Sequence, residues 1–289
     1  MTAVFALATS LLWGFADFGG GLLTRRMRAL TVVVLSQVIA AVVLGAVVAA
    51  TGGWREAGPG LWFAVAAGLI GPAATLCFYQ ALALGPMGVV APLGSLGTVA
   101  VPVGVGIALG ERPGAVPALG MVVALTGVLL AGGPQLRGAS VERRAIVLTL
   151  VSALGFGAVM ALISQASTTV TGLYLALFVQ RLCNVAVGGA ALYVTARRGE
   201  PALPEGGMAA IRSALPALAF VGLADVAANG TYALAARNGP VTMAAVLASL
   251  YPVVTTLAAL GFLKERMRAV QTMGASLALV GTVLLASGG

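Results

Sequence analysis

Three ionisable side chains, Asp17, Arg181 and Asp225, fall inside runs of otherwise apolar residues. A charge at the centre of a membrane-crossing helix costs roughly 2.5–3.5 kcal/mol on insertion scales, so a group kept there has a partner or a task. Asp225 is followed by Asn229 and Tyr232 at i+4 and i+7, which puts an acid, an amide and a phenol on one helix face. Such a stripe holds a polar solute by hydrogen bonds, carries a proton, or glues helices together. Arg181 and Asp225 fall at similar depth on successive antiparallel helices. Two readings stand: a buried ion pair that locks those helices, and a cavity carboxylate that serves a proton or a charged substrate. Asp17 precedes Gly19-Gly20-Gly21 and is read either as a helix-end group near the headgroups or as part of a cavity entrance. Tyr79 and Gln80 add polar groups at comparable depth, and Ser95, Ser249 and Tyr251 are weaker candidates of the same kind.

Other chemistries are excluded by what the chain lacks. It has no histidine, and its one lysine, Lys264, sits in a charged hairpin. No GxxxxGK[ST] loop for nucleotide phosphates occurs. Cys77 and Cys183 lie in apolar segments and read as small core residues. The sequence therefore implies no catalytic centre, no metal and no cofactor. The net charge of +8 reads as basic loops held against anionic lipid, with no nucleic-acid partner.

The elements that must position these groups are membrane helices. Of 289 residues, 60% are hydrophobic and 8% charged, with mean hydropathy +1.05. A soluble domain carries about 25% charged residues, so the chain is read as an all-α integral membrane protein. With roughly 20 apolar residues needed per span, ten spans are predicted, near 2–23, 30–51, 60–83, 87–109, 114–132, 145–167, 171–195, 213–236, 240–263 and 268–287. Pro72, Pro92, Pro102 and Pro252 fall within spans and are expected to kink or loosen them.

The chain also repeats itself. Shifted by 154 residues, 61–130 lies on 215–284 without a gap. Gly85-Pro86 then falls on Gly239-Pro240, Ser95-Leu96 on Ser249-Leu250, and Glu111-Arg112 on Glu265-Arg266. The expected organisation is two five-helix repeats, 1–135 and 136–289, in one compact membrane unit. An odd number of spans per repeat makes the second copy enter from the opposite side. Inverted repeats of this kind build secondary transporters, with the site near the midplane.

Leu12-Trp13-Gly14-Phe15 in the first span, the duplicated five-helix unit, Glu111-Arg112 and Lys264-Glu265-Arg266 carry a resemblance. The chain resembles the EamA family of the drug/metabolite transporter superfamily along essentially its whole length. The resemblance implies export of an amino acid, metabolite or drug, driven by protons or by the solute gradient. The alternative is a passive facilitator. The second repeat departs from the pattern, because Leu154-Gly155-Phe156-Gly157 lacks the tryptophan. No role of Trp13 carries over to that half.

The implied partners are a small-molecule substrate, the lipid bilayer and protons, with the chain a monomer or homodimer in the cell membrane. Twelve Lys and Arg residues fall in loops 1–2, 5–6, 7–8 and 9–10, against Arg55, Arg112 and Arg237 in the opposite loops. By the positive-inside rule both termini lie outside, whereas the resemblance implies both termini in the cytoplasm. Glu111-Arg112 and Glu265-Arg266 read as interfacial pairs that fix hairpins.

Overall fold

The computed structural model describes residues 1–24, 26–84, 100–112, 114–131, 143–199, 204–263 and 269–287. Among them the helices are α1 (Thr2–Thr24), α2 (Ala29–Thr51), α3 (Leu61–Leu84), α4 (100–108) and α5 (Ala115–Ala131). The second half has α6 (Arg143–Gln165), α7 (Val170–Arg197), α8 (Gly207–Asn238), α9 (Val241–Ala248), α10 (Tyr251–Leu263) and α11 (Ala269–Ser287). Six of them, α1, α2, α3, α6, α7 and α8, are long and apolar enough to cross a membrane. Large apolar side chains such as Val42, Leu69, Val122 and Leu154 point outward, as lipid contact requires. Ser95 and the Lys264-Glu265-Arg266 segment lie outside the described residues, as does the loop 132–142 that joins the two predicted repeats.

Local chemistry explains the helix ends. α2 stops at Gly52, which takes the left-handed conformation at φ 68° and returns its amide to the Val48 carbonyl. Thr169 caps α7 by accepting from the Gly172 amide at 3.0 Å. Its hydroxyl also donates to Glu56, which ties the α2–α3 connection to the start of α7. Within the expected span 240–263, α9 passes into α10 through a turn at Ser249-Leu250. Pro252 accounts for the break. It has no N–H to give the Ala248 carbonyl. Glu111 secures the other end of α9, where its carboxylate accepts from the amides of Val241 at 2.6 Å and Thr242 at 3.1 Å. The hairpin role expected of Glu111 is thus a helix cap reached across 130 residues.

Helices from the two halves interlock through small residues. α1 runs antiparallel to α8, from the Thr9–Thr231 hydroxyl contact at 2.9 Å to Gly19 against Val221. The tightest contacts recur with the halves exchanged. Gly127 on α5 abuts the backbone of Ala278 on α11, and Gly281 on α11 abuts the backbone of Ala124 on α5. Each residue is its counterpart's number plus or minus 154. In the same way Gly222 on α8 lies on the Ser36 carbonyl of α2, and Gly68 on α3 lies on the Gln180 carbonyl of α7. Glycine permits backbone approach that any side chain would block.

Candidate functional site

Near the middle of α1, α2, α7 and α8 the four helices bring their polar side chains together. Asp225 on α8 is the hub. Its Oδ1 accepts from the Trp13 indole N–H at 3.1 Å and from Asn229 Nδ2 at 3.2 Å. Its Oδ2 accepts from Arg181 Nη1 at 2.7 Å and from Gln37 Nε2 at 3.1 Å. A carboxylate offers about four lone-pair positions, and here each meets a donor. Arg181 Nη1 also donates to Gln37 Oε1 at 2.6 Å, and Asn184 Nδ2 donates to the same oxygen at 3.2 Å.

The ion pair is lopsided in its exposure. The Arg181 side chain is 3% exposed and that of Asp225 26%. Removing two charges from water costs several kcal/mol per ion before their attraction repays any of it, so the pair is poor evidence for stability as such. The acid is the member that faces open space. Aromatic rings stand beside it. Trp13 stacks on Tyr232 with ring centres 6.4 Å apart and meets Tyr251 edge-on at 6.1 Å. Tyr251 opens α10 just after the break in the ninth predicted span, so the discontinuity and the polar cluster adjoin through Trp13.

Several predicted residues meet in this cluster: Asp225, Asn229 and Arg181 by hydrogen bonds, Tyr232 and Tyr251 by ring contact with Trp13. Tyr232 departs from expectation. It is fully buried, and its hydroxyl has no hydrogen-bond partner, because two turns beyond Asp225 the stripe has passed beneath the Trp13 ring. Ser249 is buried and bonds locally to the Val246 carbonyl at 2.7 Å. Asp17 lies one turn past Trp13, is exposed, and is in electrostatic reach of both Asp225 and Tyr251. Gln80 is exposed on α3 and makes no hydrogen bond to the cluster. The Tyr79 side chain lies outside the described residues.

Gln37, Asn184 and Trp13 complete the site without having been predicted in it. The available signal was a lone amide in the apolar run of α2, and Asn184 three residues after Arg181 on one face of α7. Among the described residues no group of His, Cys, Asp and Glu is placed to hold a metal ion. An apolar groove lined by Leu11, Phe15, Leu257 and Phe262 runs between α1 and α10, and no residue of the polar cluster lines it.

The apolar helices and a polar centre drawn from both halves define a multi-helix integral membrane protein. The chain belongs to the EamA-like transporter family, whose model matches residues 1–133 and 143–287. One solved crystal structure of a protein superposes with a TM-score of 0.78 at 17% sequence identity, covering 98% of this chain and 95% of that one, which shows a shared fold. No curated protein matches the chain.

Proposed function

We propose that the chain is a ten-span secondary transporter that exports a small metabolite, amino acid or drug, with Asp225 at its substrate and proton site. The observation that carries the reading is the Asp225 cluster, a partly exposed carboxylate deep among helices of both halves. Membership of a transporter family supports it. The contacts that recur with the halves exchanged support an inverted repeat. The α5–α11 pair is antiparallel, since Gly127 meets Ala278 while Ala124 meets Gly281. A twofold axis relating antiparallel helices lies across them, in the membrane plane. The break between α9 and α10 beside the cluster is the kind of discontinuous helix on which midplane sites are built.

In this reading the resting state is closed around Asp225. Loading a proton or a cationic group onto the carboxylate requires one of its four donors to move away. Because those donors sit on α1, α2, α7 and α8, loading is linked to movement between the halves. Reconstituted protein should move solute against its gradient when an opposing proton gradient is imposed. The measurement is flux in proteoliposomes with and without a protonophore. Downhill flux of unchanged rate under both conditions would instead identify a passive facilitator.

The orientation we propose follows the charge count, with the Lys- and Arg-rich loops in the cytoplasm of the cell membrane and both termini outside. A variant with Cys77 and Cys183 replaced and Ser140→Cys introduced should resist an impermeant thiol reagent in intact cells and react after permeabilisation. Ready labelling of intact cells reverses the orientation.

A further inference from the structure

Arg181 uses only part of its guanidinium on Asp225. Nη1 makes both contacts, to Asp225 and to Gln37. Nε and Nη2 are buried with no hydrogen-bond partner, and so are Asn184 Oδ1 and Gln180 Oε1 on the same helix. Nε and Nη2 form the flat edge of a guanidinium that meets a carboxylate with two parallel hydrogen bonds. Leaving such donors buried and unmet carries their full desolvation penalty, so a partner of matching chemistry is called for.

The internal symmetry indicates where that partner sits. Gln37 and Gly45 on α2 match Gln180 and Gly188 on α7 at a shift of 143 residues. Gly45 packs on the Phe178 ring, and Gly188 packs on Val34. Asp225 matches Gly71 at the shift of 154. By the shift of 143 the image of the Asp225–Gln37 contact is Gly71 against Gln180, and by the shift of 144 that the Gly222–Ser36 and Gly68–Gln180 contacts show it is Gly71 against Arg181; in both the acid is missing. A Cβ built on Gly71 would lie 3.3 Å from Asn184 Oδ1 and 3.9 Å from Val159, with nothing else in its immediate reach. Asn184 in turn shares the Gln37 oxygen with Arg181. Asn184 thus stands between Gly71 and the cluster that holds Arg181.

We propose that the solute carries a carboxylate, which binds the Nε–Nη2 edge of Arg181 in the space over Gly71, where the second repeat places its own acid. The inference rests on the transport reading above. Arg181 then holds two carboxylates at once, the chain's own on Nη1 and the solute's on the opposite edge. The Asn184 and Gln180 oxygens accept from a donor group beside the solute carboxylate.

Binding is measurable without flux, as the shift in melting temperature of purified protein in nanodiscs at matched ionic strength. The probes are glycolate, its neutral counterpart glycolamide, and inorganic phosphate. Glycolate should raise the melting temperature and glycolamide should not. Gly71→Asp supplies a tethered carboxylate. It should melt about 2–4 °C above Gly71→Asn, the size of shift that one charge-assisted contact gives a chain of this length, and it should abolish the glycolate response. Should Gly71→Asp not fold, Arg181→Lys decides: lysine keeps a charge for Asp225 but has no fork, so the glycolate shift should vanish. A glycolate shift that survives Arg181→Lys, or no shift in the wild type, overturns the proposal. A shift with phosphate alone overturns the carboxylate. Glycolate binding in a protein that moves no solute would leave this site standing and remove the transport reading instead.

Discussion

Asp225→Asn should sharply lower the yield of folded protein, and Arg181→Gln added to it should recover most of that loss. All four groups around the Asp225 carboxylate are donors: Trp13 Nε1, Asn229 Nδ2, Gln37 Nε2 and Arg181 Nη1. An asparagine in its place presents one acceptor and one NH2, so whichever way the amide turns, two donors face a donor. Arg181 is also left as a buried cation without an anion. Breaking one partner out of a buried pair costs about 3–5 kcal/mol, whereas replacing both with neutral groups is often harmless. Yield and melting temperature of the two variants check the structural half of the prediction. Transport against pH checks the functional half: the double variant should fold, transport weakly for want of the Arg181 guanidinium, and show no pH dependence in what remains. Full pH-dependent transport in the double variant would leave Asp225 as structure only.

Close helix contact predicts the second large effect. Gly222→Ala drives a methyl into the Ser36 carbonyl, and Gly68→Ala drives one into the Gln180 carbonyl at 2.6 Å. At Gly222 the obstacle is backbone, and at Gly68 it is backbone together with the Cys183 Cβ, neither of which can swing aside as the far end of a side chain would. Overpacking of this kind costs about 1–3 kcal/mol. Both variants should melt several degrees lower. Gly21→Ala and Gly261→Ala, which meet nothing within 4 Å, should melt at or slightly above the wild type. The two damaging variants should also fall by similar amounts, since they occupy exchanged positions in the repeat. A neutral Gly222→Ala would mean that α2 and α8 are not in backbone contact.

Asp225, Asn229 and Arg181 were legible in the sequence because a charge in an apolar run is conspicuous and i, i+4 spacing fixes the face. Gln37 and Asn184 were not, because an isolated amide in a span looks the same whether it bonds its own helix or a distant acid. Their partners lie 188 and 147 residues away, and no local pattern encodes that. Tyr232 shows the limit of the face argument, since seven residues carried it along the stripe to a fully buried place against the Trp13 ring. Pro252 was visible as a disturbance. Whether a proline kinks a helix or divides it depends on what holds the freed ends, and Glu111, which caps α9, comes from the other half of the chain. The duplication was readable because paired matches such as Gly-Pro and Glu-Arg survive in one register. Which repeat would lack an acid, Gly71 against Asp225, was readable too. That Asn184 stands beside Gly71 and shares the Gln37 oxygen with Arg181 required the helices to be packed.

The hydrogen bond from Gln37 to Asp225 sets a schedule for biogenesis. Its two ends are 188 residues apart, and ribosomes extend a chain at about 5–20 residues per second, so roughly 10–40 s separate their synthesis. Trp13 waits longer still for the same acceptor, which is 212 residues away. Throughout that interval Trp13 and Gln37 are without the acceptor that Asp225 will supply, and the repeat counterpart of that acid in the first half is Gly71. The amino-terminal half thus lacks an acceptor for Trp13 and Gln37 until α8 arrives. Truncated or stalled chains ending before residue 225 should be recognised and degraded for the same exposed polar groups.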